Sequence, residues 1–180
     1  MTGIVIWAAV AFVLLVVAGL GVFLSVAKAT IHKQVLAIST MFPEALTTSA
    51  QSAVVTRLAL RRIGDVGGYR HTRTGPIYSV VATRGHLRLV RGRQAQIVAQ
   101  FSADQVGDVR VGTTSVLLAD YTTLFFGIRT GGNTFELPVR VNGPRATSML
   151  TASRGWARVR GDEIMQVLRT GSIDGGGERR

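Results

Sequence analysis

Gly3 to Ala27 is a run without a single charged side chain. As a helix rising 1.5 Å per residue it would reach about 37 Å, more than the ~30 Å hydrocarbon layer of a bilayer. A secretory h-region is shorter, roughly 7–15 residues, and follows a basic n-region. Here no Lys or Arg precedes the run. The sequence therefore predicts an uncleaved transmembrane anchor over residues 1–27, with Trp7 near one interface. Lys28 and Lys33 follow it, so the positive-inside rule sets the N-terminus outside the cell. The C-terminal domain is then expected on the cytoplasmic face of the inner membrane.

The 180 residues include no cysteine, which excludes disulfides, thiolate nucleophiles and Cys-ligated metals. The formal charge of +11 is concentrated. Arg57, Arg61, Arg62, Arg70, Arg73, Arg84, Arg88, Arg91 and Arg93 stand against the single acid Asp65 between residues 57 and 93. Such a field attracts phosphate-rich partners. With Lys28 and Lys33, these arginines are the candidate residues for anionic lipid or an acidic partner. Only two lysines accompany the arginines, a skew that a GC-rich genome also produces.

Pattern and punctuation divide the rest. Residues 28–63 read as a juxtamembrane segment of two helical pieces broken at Phe42-Pro43, the second with Pro43 and Glu44 in its first turn and an apolar stripe from Leu46 through Ala50, Val54 and Leu58. Residues 64–76, GDVGGYRHTRTGP, read as a Gly-rich linker without phosphate-loop spacing. From Ile77, alternation predicts seven strands at 77–83, 86–91, 95–101, 107–111, 115–119, 123–129 and 133–141. Arg84-Gly85 and Thr130-Gly131-Gly132-Asn133 are turn signals, and SADQV (102–106) suggests one helical turn. A helix is expected over 144–153, with Met149 and Leu150 buried, and another over 162–169. Residues 171–180 read as a tail.

Catalytic patterns are missing. His32, His71 and His86 lie at no metal-ligand spacing, and no nucleophile elbow or zinc-protease motif occurs. The expectation is a protein without catalytic residues, metal or cofactor.

The strand order and the run HLRLVRGRQAQIVAQFSADQVGDVRVG resemble membrane-tethered pleckstrin-homology-like proteins of actinobacteria, over residues 77–153. That resemblance implies a bent sheet or partly open barrel of seven antiparallel strands, plugged by a C-terminal helix, in a domain spanning 77–170. The implied function is binding of anionic headgroups or an acidic protein. The alternative is an accessory subunit of a larger membrane complex, since Ala18, Gly19, Gly21 and Ser25 permit close helix approach. Nucleic acid is disfavoured, because only Tyr69 and Tyr78 offer stacking platforms in the basic segment. Oligomeric state is left open.

Overall fold

The computed structural model describes residues 2–68, 74–116, 119–144 and 151–171. Ten elements follow in order: α1 (Thr2–Met41), β1 (Leu46–Gln51), α2 (Val54–Gly67), β2 (Ile77–Thr83), β3 (His86–Arg91), β4 (Gln96–Ser102), β5 (Val106–Val116), β6 (Ala119–Thr130), β7 (Asn133–Val141) and α3 (Arg154–Thr170). The strands form one antiparallel sheet in the order β4-β3-β2-β1-β7-β6-β5. Two meanders thus meet at β1 and β7, and β4 and β5 are free edges.

Alternation decides which side chains face the interior. Tyr78, Val80 and Ala82 of β2, Leu87 and Leu89 of β3, and Leu124, Phe126 and Ile128 of β6 share one buried cluster. Leu137, Val139 and Val141 of β7 complete the sheet's contribution. Leu60 and Ile63 of α2 and Ile164 and Leu168 of α3 cover it from the helical side. β2 is buried on its other face as well, which explains its continuous apolar run. There the second half of α1 crosses the sheet, with Ile38 against Val81, Val90 and Ala95. Gln34, one turn before Ile38, is 3% exposed, and its Nε2 donates to Ser79 Oγ (3.0 Å) and Val90 O (3.1 Å).

The turns follow the backbone chemistry. Gly131 and Gly132 both hold positive φ, 56° and 76°, as a type I′ hairpin between β6 and β7 requires. β7 carries Pro138 inside a strand, which is tolerated only where no ladder hydrogen bond is lost. Its carbonyl points to α2 and accepts from Thr56 Oγ1 at 2.7 Å, so the helix covers the stretch of β7 that β1 leaves unpaired. α3 starts at Ser153, whose side chain accepts from the Trp156 N–H, and ends at Gly171 in the left-handed region.

Several expectations are corrected. Among the described residues, no helix is long and apolar enough to cross a membrane. α1 continues through Lys28 to Met41 and docks its second half on the sheet. The single-pass anchor, the N-out orientation and the inner-membrane placement of the C-terminal domain are therefore withdrawn, and with them the membrane-tethered fold class.

Residues 46–51, expected to be helical, are β1, at the centre of the sheet and outside the expected domain of 77–170. The expected strands at 107–111 and 115–119 are replaced by the longer β5, and Val116 pairs with Ala119 at the start of β6. SADQV forms a turn over Ala103–Gln105, not a helix, closed by Gln105 N–H to Ser102 O at 3.0 Å. α2 runs four residues, 64–67, into the expected linker. α3 begins at Arg154, so Asp162 and Glu163 lie in mid-helix, not in its first turn. Residues 145–150, including Met149 and Leu150, lie outside the described residues, as does 172–180.

The seam between the meanders is short. It pairs Ala50 with Val141 and Gln51 with Arg140. Asn142 extends it: its N–H donates to Ser49 O and its Nδ2 to Ser49 Oγ, both at 3.0 Å, and it is 2% exposed. Asn142→Ala leaves the Ser49 hydroxyl without this buried partner. It should lower unfolding stability by about 1–3 kcal/mol, read as a shift in the urea midpoint with an unchanged slope.

Candidate anion-binding surface

The predicted cations do not form one patch. Arg70 and Arg73 lie outside the described residues, as does the side chain of Lys28. Lys33 is exposed on α1, on the face turned away from Gln34 and Ile38. Arg84 is exposed in the β2–β3 turn, beside Gly171 at the end of α3. Arg88 is committed to packing: Nη1 donates to Thr83 Oγ1 at 2.7 Å, Nε to Gln100 Oε1 at 2.9 Å, and its guanidinium sits 5.1 Å from the Phe42 ring. Arg61 and Arg62 are exposed on α2.

Arg57, Arg91 and Arg93 gather at the opposite end of β2 from Arg84, about 20 Å away at the rise of a strand. Gly75 and Pro76, just before β2, are the shared wall of two hollows. One, about 410 Å³, is lined by Ser52 and Arg57. The other, about 350 Å³, is lined by Arg91 and Gly92 together with Val26, Thr30, Ile31 and Gln34 of α1. Arg91 donates to Gln96 Oε1 from Nε (3.0 Å) and Nη2 (2.9 Å), which fixes its direction. Arg93 is exposed in the turn that follows. From this same end the first half of α1 projects, with Trp7 (75% exposed), Phe12 (67%) and Leu15 (72%) uncovered.

The ion pairs between described residues lie elsewhere: Arg110 with Asp108 and with Glu136 on β5 and β7, and Arg160 with Glu163 on α3. Asp108, Glu136 and Glu163 are thus the described carboxylates held in these ion pairs. Among the described residues, no group of three or more His, Asp or Glu side chains could hold a metal ion.

One cation that the sequence did not single out is unlike all of these. Arg140, on the outer face of β7, is 9% exposed. Its Nε donates to Thr114 Oγ1 at 2.9 Å, and its guanidinium lies 4.4 Å from the Tyr121 ring centre. Thr114 in turn shares a 2.8 Å hydrogen bond with Thr123. In sequence Arg140 alternates with Val139 and Val141, the pattern of a solvent-facing strand position, so nothing marked it as buried. Its positive charge also reaches Tyr78, although burial dominates there and pushes the Tyr78 hydroxyl well above the ordinary phenol range. Thr56, beside it, and Arg140 oppose that shift only in part. No hydrogen bond reaches the Tyr78 oxygen among the described residues, since Thr56 gives its proton to Pro138.

No family model, no curated protein and no solved structure matches the chain.

Tyr78 sets an alkaline limit. Above about pH 10 the unfolded chain releases the phenol proton while the folded chain keeps it. The favourable contribution is complete below that pH and is lost as pH rises past it. Urea midpoints of the wild type and Tyr78→Phe at about pH 8 and pH 11 check this: the wild type should lose more between the two. At neutral pH Tyr78→Phe should match or exceed the wild type, because the removed hydroxyl is buried without a partner.

Proposed function

We propose that this chain is a non-enzymatic binding module of the pleckstrin-homology-like kind, whose Arg57–Arg91–Arg93 end docks on anionic lipid headgroups. Two antiparallel meanders meeting at β1 and β7, followed by a helix over the interior face, support the family likeness. The observation that carries the ligand reading is the convergence of two chemistries at one end of the sheet. Arg57 and Arg91 line the two hollows walled by Gly75 and Pro76, Arg93 is exposed in the turn after β3, and the exposed apolar side chains of α1 project from the same end.

A lipid surface offers both complements, phosphate outside and hydrocarbon beneath. An acidic protein surface would answer only the charge. Each Arg near an anionic lipid surface is worth about 1 kcal/mol, so a cluster of three suffices for a strong preference over neutral lipid. Arg88 and Arg84 do not belong to this surface, the first because it is packed against Phe42 and the second because it sits at the far end.

Co-sedimentation of the full chain with vesicles tests the reading. Phosphatidylglycerol-containing vesicles should bind at least tenfold more protein than pure phosphatidylcholine. The double variant Arg57→Glu, Arg93→Glu should remove most of that difference, as should high salt. Equal binding to both vesicle types would overturn the proposal.

A further inference from the structure

The outer face of β5–β7 holds a second, separate feature. Its side chains stand in rows across the three strands: Arg110, Phe125 and Pro138, then Gly112, Thr123 and Arg140. Thr114 and Tyr121 form the next row. α2 lies along one side, and between them runs a groove of about 400 Å³ walled by Val55, Leu58 and Ala59 of the helix and by Phe125 and Pro138 of the sheet. Gly112 makes the floor possible. A side chain there would meet Phe125 Cε2 at 2.8 Å, so the ring lies down over the glycine.

The charges along this groove are unequal. Arg62 of α2, exposed, and Glu136 of β7 both line it, and Glu136 is already paired with Arg110. Four residues further along β7, about 13 Å at strand rise, stands Arg140. Thr114 both lines the groove and accepts from Arg140 Nε, so the guanidinium sits one side chain beyond the groove's end. Of its five donors, only that one has an acceptor among the described residues, and no carboxylate there is within salt-bridge distance. Burying a cation without an anion is costly, and the Tyr121 ring offsets only part of the cost.

We infer that this groove binds a monoanionic amphiphile, a carboxylate on an unbranched apolar chain. The carboxylate takes the free fork of Arg140 in the planar, two-point geometry that guanidinium favours. The chain lies over Phe125 and Pro138 against Val55 and Leu58, both of which are exposed without it, at 43% and 52%. A cationic head would be mismatched, because Arg140 is buried with no carboxylate in salt-bridge distance among the described residues and Arg62 lines the same groove.

Calorimetric titration of the full chain with decanoate, decanol and decyltrimethylammonium tests the inference. Decanoate should bind saturably and at least tenfold more tightly than either of the others. Arg140→Gln should weaken decanoate at least tenfold and bring it level with decanol. Leu58→Glu, an exposed position whose replacement leaves the core intact, should abolish saturable decanoate binding and keeps the test decisive if Arg140→Gln does not fold. Arg57→Glu with Arg93→Glu should leave decanoate affinity unchanged, which separates this groove from the headgroup surface. Equal affinity for decanoate and decanol, unchanged binding in Leu58→Glu, or no saturable decanoate binding would each overturn the inference.

Discussion

The seam between β1 and β7 is what makes one domain of two meanders. Among the described residues, two residue pairs and the backbone and side-chain hydrogen bonds of Asn142 to Ser49 span it, yet both halves of the buried cluster depend on the register it sets. A slip of one residue would turn Ala50 outward and Ser49 inward. Asn142 opposes a slip onto Ala50 because its Nδ2 donates to the Ser49 hydroxyl, an acceptor that Ala50 lacks. The seam is also short because β1 stops at Gln51 and α2 takes over the edge of β7. There Thr56 meets the Pro138 carbonyl, and the missing proline N–H leaves no donor stranded. A proline in a strand and a threonine in a helix thus become one joint.

Legibility in the sequence followed the strength of local signals. β2, β3 and β7 were readable because apolar runs or strict alternation ended in glycine turns, and their boundaries coincide with the elements found. β1 was not, because LTTSAQ is mostly polar and its burial comes from neighbours far along the chain. Ser49 is 5% exposed only because Asn142 satisfies it, a partner that no local window contains. The first 27 residues misled for the opposite reason. A run without charge was read as a membrane span in its own right, but the helix it begins also serves as a docking element through Ile31, Gln34 and Ile38. The glutamine in that stripe reads as a polar interruption until Ser79 and Val90 are placed beneath it.

Charge was legible in amount but not in place. Composition located nine arginines between residues 57 and 93, and the fold distributes the seven described ones over α2, the two ends of the first meander and the outer face of β3. Arg88 shows how a cation can be present for its packing: two neutral acceptors and an aromatic face hold it, and partial burial lowers its basicity from the ordinary arginine value. Counting it with Arg93 as one patch treats a structural group and a solvated one as equivalent.

That distinction separates the two proposed anion sites by mechanism. Arg93 keeps its water, so its attraction is long-ranged, weak per charge and sensitive to salt. It selects for surface charge density and little else. Arg140 has already lost most of its water on folding, and the cost of desolvating it falls on the free protein instead of on the binding event. An anion that reaches it loses its own hydration but gains a preoriented fork, so geometry counts for more than net charge. The first kind of site suits an extended, crowded array of headgroups. The second suits a single small head with a tail of defined shape, and the glycine under Phe125 is the feature that gives the tail its space.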